Sequence, residues 1–129
     1  MTPELTALTL VALWQVVQLG IYSVIAQKQV GSNYAASPRD EGRQLTGRAG
    51  RMQRCVANTF EALILFAIAA LVTVYSDQTG QISVLCSAAF VLARVLYLPA
   101  YLYGWTPGRS LIWFVGFIAT VVMLVGALL

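Results

Sequence analysis

The chain has 129 residues, of which 59% are hydrophobic and 10% are charged, and its mean hydropathy is +0.76. Soluble domains carry about 25% charged residues, so this composition excludes a soluble monomer. A membrane-spanning helix needs about 20 mainly apolar residues, and the chain has room for four. We therefore predict one all-α integral membrane domain over residues 1–129, built as a bundle of four transmembrane helices.

The predicted spans are separated by residues that end helices. The first span has no basic segment ahead of it and is too long for a signal peptide, so we expect it to remain in place. Asp77 and Gly80 separate the second and third spans, and Gly104, Pro107 and Gly108 separate the third and fourth. The four spans cover residues 5–26, 51–75, 82–102 and 111–129.

Cysteine, histidine and charge usage argue against several kinds of site. Cys55 and Cys86 fall inside predicted spans, where we interpret them as small packing residues, and the chain has no histidine. We therefore expect no disulfide framework, no metal site and no haem site. The net charge is +3 without a long basic run, so no nucleic-acid partner is expected.

The basic residues are distributed unevenly between the loops. Seven of the eight lie in or beside the first and third loops, whereas the second loop contains only Asp77 as a charged residue. Loops rich in Lys and Arg face the cytoplasm, so loops 27–50 and 103–110 are predicted to be cytoplasmic and both termini to lie outside. These seven residues are Lys28, Arg39, Arg43, Arg48, Arg51, Arg54 and Arg109.

Helix length places charged side chains inside the membrane. From Ala62 to Tyr75 there are only 14 residues, or about 21 Å of helix, against a hydrocarbon core of about 30 Å. Glu61 and Asn58 are therefore expected within the core, and the same count on the third span places Arg94 inside it or close to its cytoplasmic boundary. Because a charge in the membrane is costly, it indicates a functional site.

Polar side chains also recur at helical spacing and form one stripe on each of three spans. Glu61 and Arg94 come at nearly the same depth, so the stripes of the second and third spans can face each other. The stripes are Arg51, Arg54, Asn58 and Glu61 on the second span, Ser83, Ser87, Arg94, Tyr97 and Tyr101 on the third, and Gln15, Gln18 and Tyr22 on the first.

Two interpretations of these stripes stay open on chemistry alone. In the first, Glu61 and Arg94 form a structural ion pair, the tyrosines are interface anchors and the glutamines form interhelical hydrogen bonds. In the second, the arginines at positions 51, 54, 94 and 109 exceed the single carboxylate by three charges and require an anion. Arginine binds carboxylates and glutamate binds ammonium, so a small zwitterionic peptide with excess carboxylates would fit.

Two segments resemble the signatures of one family. The stretch RMQRCVANTFE, Arg51 to Glu61, is similar to the RxxRxxxNxxE signature of the MAPEG family, the membrane-associated proteins in eicosanoid and glutathione metabolism. The stretch ARVLYLPAYLYGWTPGRS, Ala93 to Ser110, is similar to the family's third helix and the arginine that follows it. In character the chain resembles the bacterial members most closely, and we expect a bacterial inner membrane.

This resemblance implies a homotrimer that binds glutathione between neighbouring protomers on the cytoplasmic side. It implies detoxification by glutathione transferase or peroxidase activity on a lipophilic substrate arriving from the membrane lipids. Arg109 matches the arginine near the glutathione sulfur and is the implied catalytic residue, which would stabilise the thiolate. The implied glutathione-binding residues are Arg51, Arg54, Asn58, Glu61, Arg94, Tyr97 and Tyr101.

Two other functions stay open beside the one that this resemblance implies. A non-catalytic protein of the same fold would bind a lipid or another anion, and a small transporter would use the intramembrane Glu61.

Gly116 and Thr120 are small residues four positions apart on one face of the fourth span, a pattern that favours helix contact between chains. The loop 27–50 is partly polar and contains Gly, Ser, Asn and Pro, so we expect an irregular segment that caps the pocket.

Overall fold

The computed structural model describes residues 1–38, 42, 44–104 and 108–129. Within these residues it contains five α-helices and no strand. Four of the helices are long and apolar enough to cross a membrane, so the protein is an all-helical, multi-pass membrane protein. The helices are α1 (Pro3–Val30), α2 (Ser32–Ala36), α3 (Gly47–Tyr75), α4 (Gln81–Leu102) and α5 (Gly108–Leu128). Three predicted loop residues, Arg39, Arg43 and Pro107, lie outside the described residues.

The connection between α1 and α3 is more helical than predicted. α1 continues to Val30 and α3 begins at Gly47, so each helix extends about one turn beyond the apolar run. The side-chain amide of Gln29 joins these ends, because it accepts from the backbone N–H of Thr46 at 2.7 Å and donates to its carbonyl at 3.0 Å. Gly31 follows α1 with a φ of 93°, a conformation that favours glycine. The prediction placed the helix ends where the apolar residues end, so it missed the last turn of α1 and the first turn of α3, which are largely polar.

The four long helices pack into a bundle, with α4 against α5 and α1 against α3. We call the end that carries Arg48, Arg54 and Arg109 the basic end. In the interior between the two ends, the rings of Phe66 and Phe90 stack with centroids 4.1 Å apart. Many large apolar side chains are exposed on the outside of the bundle, which suits contact with lipid chains.

The glutamines of α1 form interhelical hydrogen bonds, as one interpretation of the sequence predicted. Gln15 Nε2 donates to the carbonyl of Val56 at 3.0 Å. Gln18 Nε2 lies 2.8 Å from Gln15 Oε1 and 3.4 Å from Thr59 Oγ1. Both glutamines are buried. These bonds connect α1 to α3 without using any charged group.

The small-residue step of α5 lies inside the bundle, so its predicted role in contact between chains is wrong. A Cβ on Gly116 would lie 3.6 Å from atoms of Ala93 and Phe90, which are both on α4. Thr120 is buried, and its hydroxyl donates to the carbonyl of Gly116 at 2.9 Å. The small residues therefore allow α5 to approach α4 within one chain.

A buried carboxylate at the opposite end was not recognised from the sequence. Glu4 is fully buried, and its Oε1 accepts a hydrogen bond of 2.6 Å from Ser83 Oγ. Ser83 also bonds the backbone of Gly80 at the start of α4. Glu4 Oε2 has no partner among the described residues. This contact ties the start of α1 to the start of α4.

Removing the hydroxyl of Ser83 should destabilise the bundle. In Ser83→Ala, Glu4 loses its described hydrogen-bond partner, which should lower the free energy of unfolding by about 1–3 kcal/mol. Unfolding of the purified protein in detergent measures the effect. Ser23→Ala, at an exposed position of α1, is the control and should match the wild type. Equal stability of the two variants would contradict a stabilising role for this contact.

Candidate functional site

A cavity of about 430 Å³ opens at the basic end between α3, α4 and α5, and we call it the polar cavity. It is lined by Arg54 and Asn58 from α3, by Tyr97 and Tyr101 from α4 and by Arg109 from α5. The structure thus brings together five of the predicted site residues. The other lining residues are Ser110, Trp113 and Phe114.

A second cavity of about 130 Å³ lies next to the polar cavity, and we call it the inner cavity. The two cavities share Asn58 and Trp113. Glu61 and Arg94 both line the inner cavity, so the charged residues of α3 and α4 do lie at a common depth. The remaining lining residues are Ala62, Leu65, Phe90, Gly116, Phe117 and Thr120.

Tyr101 organises the guanidinium groups of the polar cavity. Its hydroxyl accepts a hydrogen bond of 3.1 Å from Arg54 Nε. The Cζ atoms of Arg54 and Arg109 lie 6.0 Å and 4.9 Å from the centroid of its ring, within the range of cation–π contacts. Neither arginine is paired with a carboxylate among the described residues. Tyr101 therefore orients two cations without neutralising them.

Arg94 is the buried cation of the site. Only 2% of its surface is exposed, and its Nη2 donates to Thr59 Oγ1 at 2.7 Å. Its Cζ lies 4.3 Å from the centroid of the Tyr97 ring. Within the described chain Arg94 forms no ion pair with Glu61, although both line the inner cavity. The structural ion pair, one of the two interpretations of the sequence, is therefore not formed in this structure.

Two buried polar atoms beside the cavities lack hydrogen-bond partners in the described part of the chain. They are Asn58 Oδ1 and Arg94 Nε. Most buried polar atoms in folded proteins are hydrogen-bonded, so each such atom needs an explanation. Both residues line a cavity, and both were expected to contact a ligand. A ligand that accepts from Arg94 and donates to Asn58 would satisfy both atoms.

Arg51 and the first loop lie outside the two cavities. Arg51 Nη1 donates to the carbonyl of Leu102 at 2.9 Å, at the last residue of α4. This carbonyl has no partner within its own helix, so Arg51 caps the C-terminus of α4. Of the residues described between α1 and α3, none lines either cavity, so the predicted cap over the pocket is not seen there.

Sequence reasoning missed two residues of the site, Thr59 and Trp113. Trp113 lines both cavities, and its ring stacks on Phe117 with centroids 5.0 Å apart. It lies four positions after Arg109, on the same helix face, so helical spacing offered a signal for it. Thr59 lies directly after Asn58 on the buried face of α3. Nothing in the sequence distinguished it from a packing residue.

The cap that Arg51 provides for α4 predicts a stability effect. Arg51→Met keeps the aliphatic stem but removes the donor, and should lower the free energy of unfolding by about 1 kcal/mol. Arg48→Met is the matched control, because Arg48 is an exposed arginine of the same end whose recorded contact among the described residues is with the ring of Tyr103, at 5.8 Å. Denaturation in detergent measures both variants. If Arg48→Met were the more damaging change, the capping role would be refuted.

The comparisons with known proteins agree with this architecture. The model of the MAPEG family matches residues 5–129, which is nearly the whole chain. Searches of curated proteins and of solved structures gave no match. The MAPEG family includes glutathione-related membrane proteins. With four apolar spans and a family match that extends from the start of α1 to the last residue, the chain belongs to the MAPEG family.

Proposed function

We propose that the protein binds glutathione at the two adjoining cavities and uses it for transferase or peroxidase chemistry on lipophilic substrates. The observation that carries this proposal is the excess of positive charge. Among the described residues that line the cavities, Arg54, Arg94 and Arg109 stand against one carboxylate, that of Glu61. Glutathione has two carboxylates, one ammonium group and a thiol, so it complements this arrangement. Membership of the MAPEG family supports the same ligand.

Each part of glutathione has a chemically suitable partner. Arg54 and Arg94 bind the carboxylates, because guanidinium groups can donate two parallel hydrogen bonds to a carboxylate. Glu61 binds the ammonium group. Asn58 and the tyrosine hydroxyls bind the peptide groups. The polar cavity, at about 430 Å³, lies within the range of about 300–1,000 Å³ that is typical of small-molecule pockets.

Arg109 is the proposed catalytic residue. The free thiol has a pKa of about 8.5, and a neighbouring guanidinium lowers it because it stabilises the thiolate. Arg109 is exposed at the mouth of the polar cavity, with its guanidinium against the Tyr101 ring. In the transferase reaction the thiolate attacks the electrophilic carbon, a carbon–sulfur bond forms and the leaving group departs with its electron pair.

The apolar surface beside the site supports a substrate that reaches it from the bilayer. Phe114 lines the polar cavity and Phe117 lines the inner cavity, yet both side chains are about half exposed on α5. A lipophilic molecule dissolved in the membrane can therefore contact the wall of the site without crossing water. The proposed substrate class is a lipophilic electrophile or hydroperoxide, and the proposed role is detoxification.

The proposal includes the homotrimer. Glu61 lies at the middle of α3 and is exposed on the surface of the single bundle. A carboxylate facing lipid at this depth is costly, so a neighbouring protomer that covers it would remove the cost.

The distribution of basic residues supports an orientation with the site on the cytoplasmic side and both termini outside, and the proposed location is a bacterial inner membrane.

Glutathione binding is the first test of this function. Calorimetry on the detergent-purified wild type should show saturable binding, and Arg54→Ala and Glu61→Ala should each weaken it by a few kcal/mol, because each leaves a ligand charge unpaired. Arg48→Ala removes a positive charge from the same end but outside both cavities, so it should bind like the wild type. A folded wild type that binds no glutathione at millimolar concentration refutes the proposal and favours a non-catalytic protein that binds a lipid or another anion.

The role of Arg109 predicts a change in pH dependence rather than in affinity. Arg109→Ala should raise the apparent pKa of bound glutathione, so activity at neutral pH falls and recovers as the pH rises, because the thiolate then forms without help. Affinity for glutathione should change little. Arg109→Lys retains the positive charge and should lie between the two. The measurement is conjugation rate against pH, and an unchanged profile removes Arg109 from the mechanism.

A further inference from the structure

α1 lines neither cavity, yet a chain of hydrogen bonds links it to the buried cation of the site. Gln18 on α1 contacts Thr59 on α3, and Thr59 accepts the hydrogen bond from Arg94 on α4. All three side chains are at least 98% buried. This series of hydrogen bonds therefore crosses the bundle interior and joins three helices at the level of the inner cavity.

The position of Thr59 is set from both sides. Its hydroxyl lies 3.4 Å from Gln18 Nε2 and 2.7 Å from Arg94 Nη2. Gln18 is held in turn by Gln15 Oε1 at 2.8 Å, and Gln15 is bonded to the backbone of α3. The two buried amides hold each other in place and limit the movement of the hydroxyl from the side of α1. Thr59 is thus a fixed acceptor for the guanidinium group.

A hydroxyl acceptor has a different effect on Arg94 from that of a carboxylate. The guanidinium has five N–H donors, and Thr59 binds one of them without neutralising the charge. The face of the group is covered by the Tyr97 ring at 4.3 Å, and Nε has no partner in the described residues. Arg94 is therefore held in one orientation with its charge still available to a ligand.

Glu61 is the group that would otherwise bind Arg94, because it lines the same inner cavity. Arginine is a long, flexible side chain, and an ion pair with Glu61 would cancel the charges that are proposed to bind the carboxylate and the ammonium of the ligand. The hydrogen bond to Thr59 competes with that ion pair. Loss of this bond would free Arg94 to pair with Glu61.

We propose that Thr59, fixed by Gln18 of α1, is a positioning residue that holds the guanidinium of Arg94 apart from Glu61 and directs it at the ligand in the inner cavity. The identity of that ligand as glutathione rests on the proposed function. The positioning itself does not, because it concerns contacts within this chain. Thr59 acts through Arg94 and does not line either cavity.

The test compares variants that change Thr59 with little change in volume. Thr59→Val removes the acceptor and should weaken glutathione binding about tenfold, which equals about 1.4 kcal/mol. Thr59→Ser restores the hydroxyl and should restore the affinity. Thr73→Val is the matched control, because Thr73 is a buried threonine of the same helix whose hydroxyl has no partner among the described residues. It should bind like the wild type.

Two further measurements separate positioning from a general structural effect. In an Arg94→Gln background, Thr59→Val should weaken binding no further, because the two residues then act as one unit. The second is the NMR signal of the Arg94 side-chain N–H groups, assigned by its loss in Arg94→Gln. It should show slow rotation of the guanidinium in the wild type and in Thr73→Val, and faster rotation in Thr59→Val.

The NMR measurement needs no ligand, so it distinguishes the two possible failures. A wild type that binds no glutathione refutes the proposed function, while the rotation of the Arg94 guanidinium still decides whether Thr59 positions it. The positioning proposal is overturned if Thr59→Val leaves that rotation unchanged. It is also overturned if the effect of Thr59→Val on binding persists in full without Arg94.

Discussion

A buried guanidinium group that has no carboxylate partner in the described part of the chain is the constraint on which the rest of this bundle depends. Arg94 is buried, and a buried charge is costly unless it is hydrogen-bonded. The guanidinium donates one hydrogen bond to the hydroxyl of Thr59, and its face packs on the ring of Tyr97. Arg94 lines the inner cavity, and its Nε has no hydrogen-bond partner among the described residues. This arrangement supports the proposal that an anionic ligand binds there.

The two ends of the bundle differ in how their buried polar groups are hydrogen-bonded. At one end Glu4 bonds Ser83 and ties the start of α1 to the start of α4. At the basic end Asn58 Oδ1 and Arg94 Nε have no hydrogen-bond partner among the described residues, and Tyr101 orients two cations that have no described counter-ion. Local arrangements that oppose stability are expected at functional sites, provided that the rest of the fold compensates. The contrast separates the part of the bundle that holds the helices together from the part suited to binding.

Membership of the MAPEG family and the chemistry of the cavities support one function from independent directions. The positive charge of the cavities matches a tripeptide with excess carboxylates, and the exposed apolar face of α5 suits the proposed approach of a lipophilic substrate from the membrane. The hydrogen bonds from Gln18 through Thr59 add a role for α1, which otherwise serves as a lipid-facing span. In this view all four membrane helices contribute to the site, and α1 does so through Arg94.

The sequence by itself determined the number of spans, because hydropathy and helix rise leave few ways to arrange 129 residues in a bilayer. It also placed Glu61 and Arg94 at one depth and put Arg54, Asn58, Tyr97 and Tyr101 on facing stripes, since helical spacing defines depth and face. Arg109 was predicted only from the resemblance to the family. Only the tertiary structure decided that Gly116 packs inside the chain, that Arg51 caps α4 and that Arg94 binds Thr59 instead of Glu61. These facts depend on how each helix is rotated about its axis. In a membrane both the interior and the surroundings are apolar, so hydropathy leaves that rotation undefined, and side-chain packing between helices sets it.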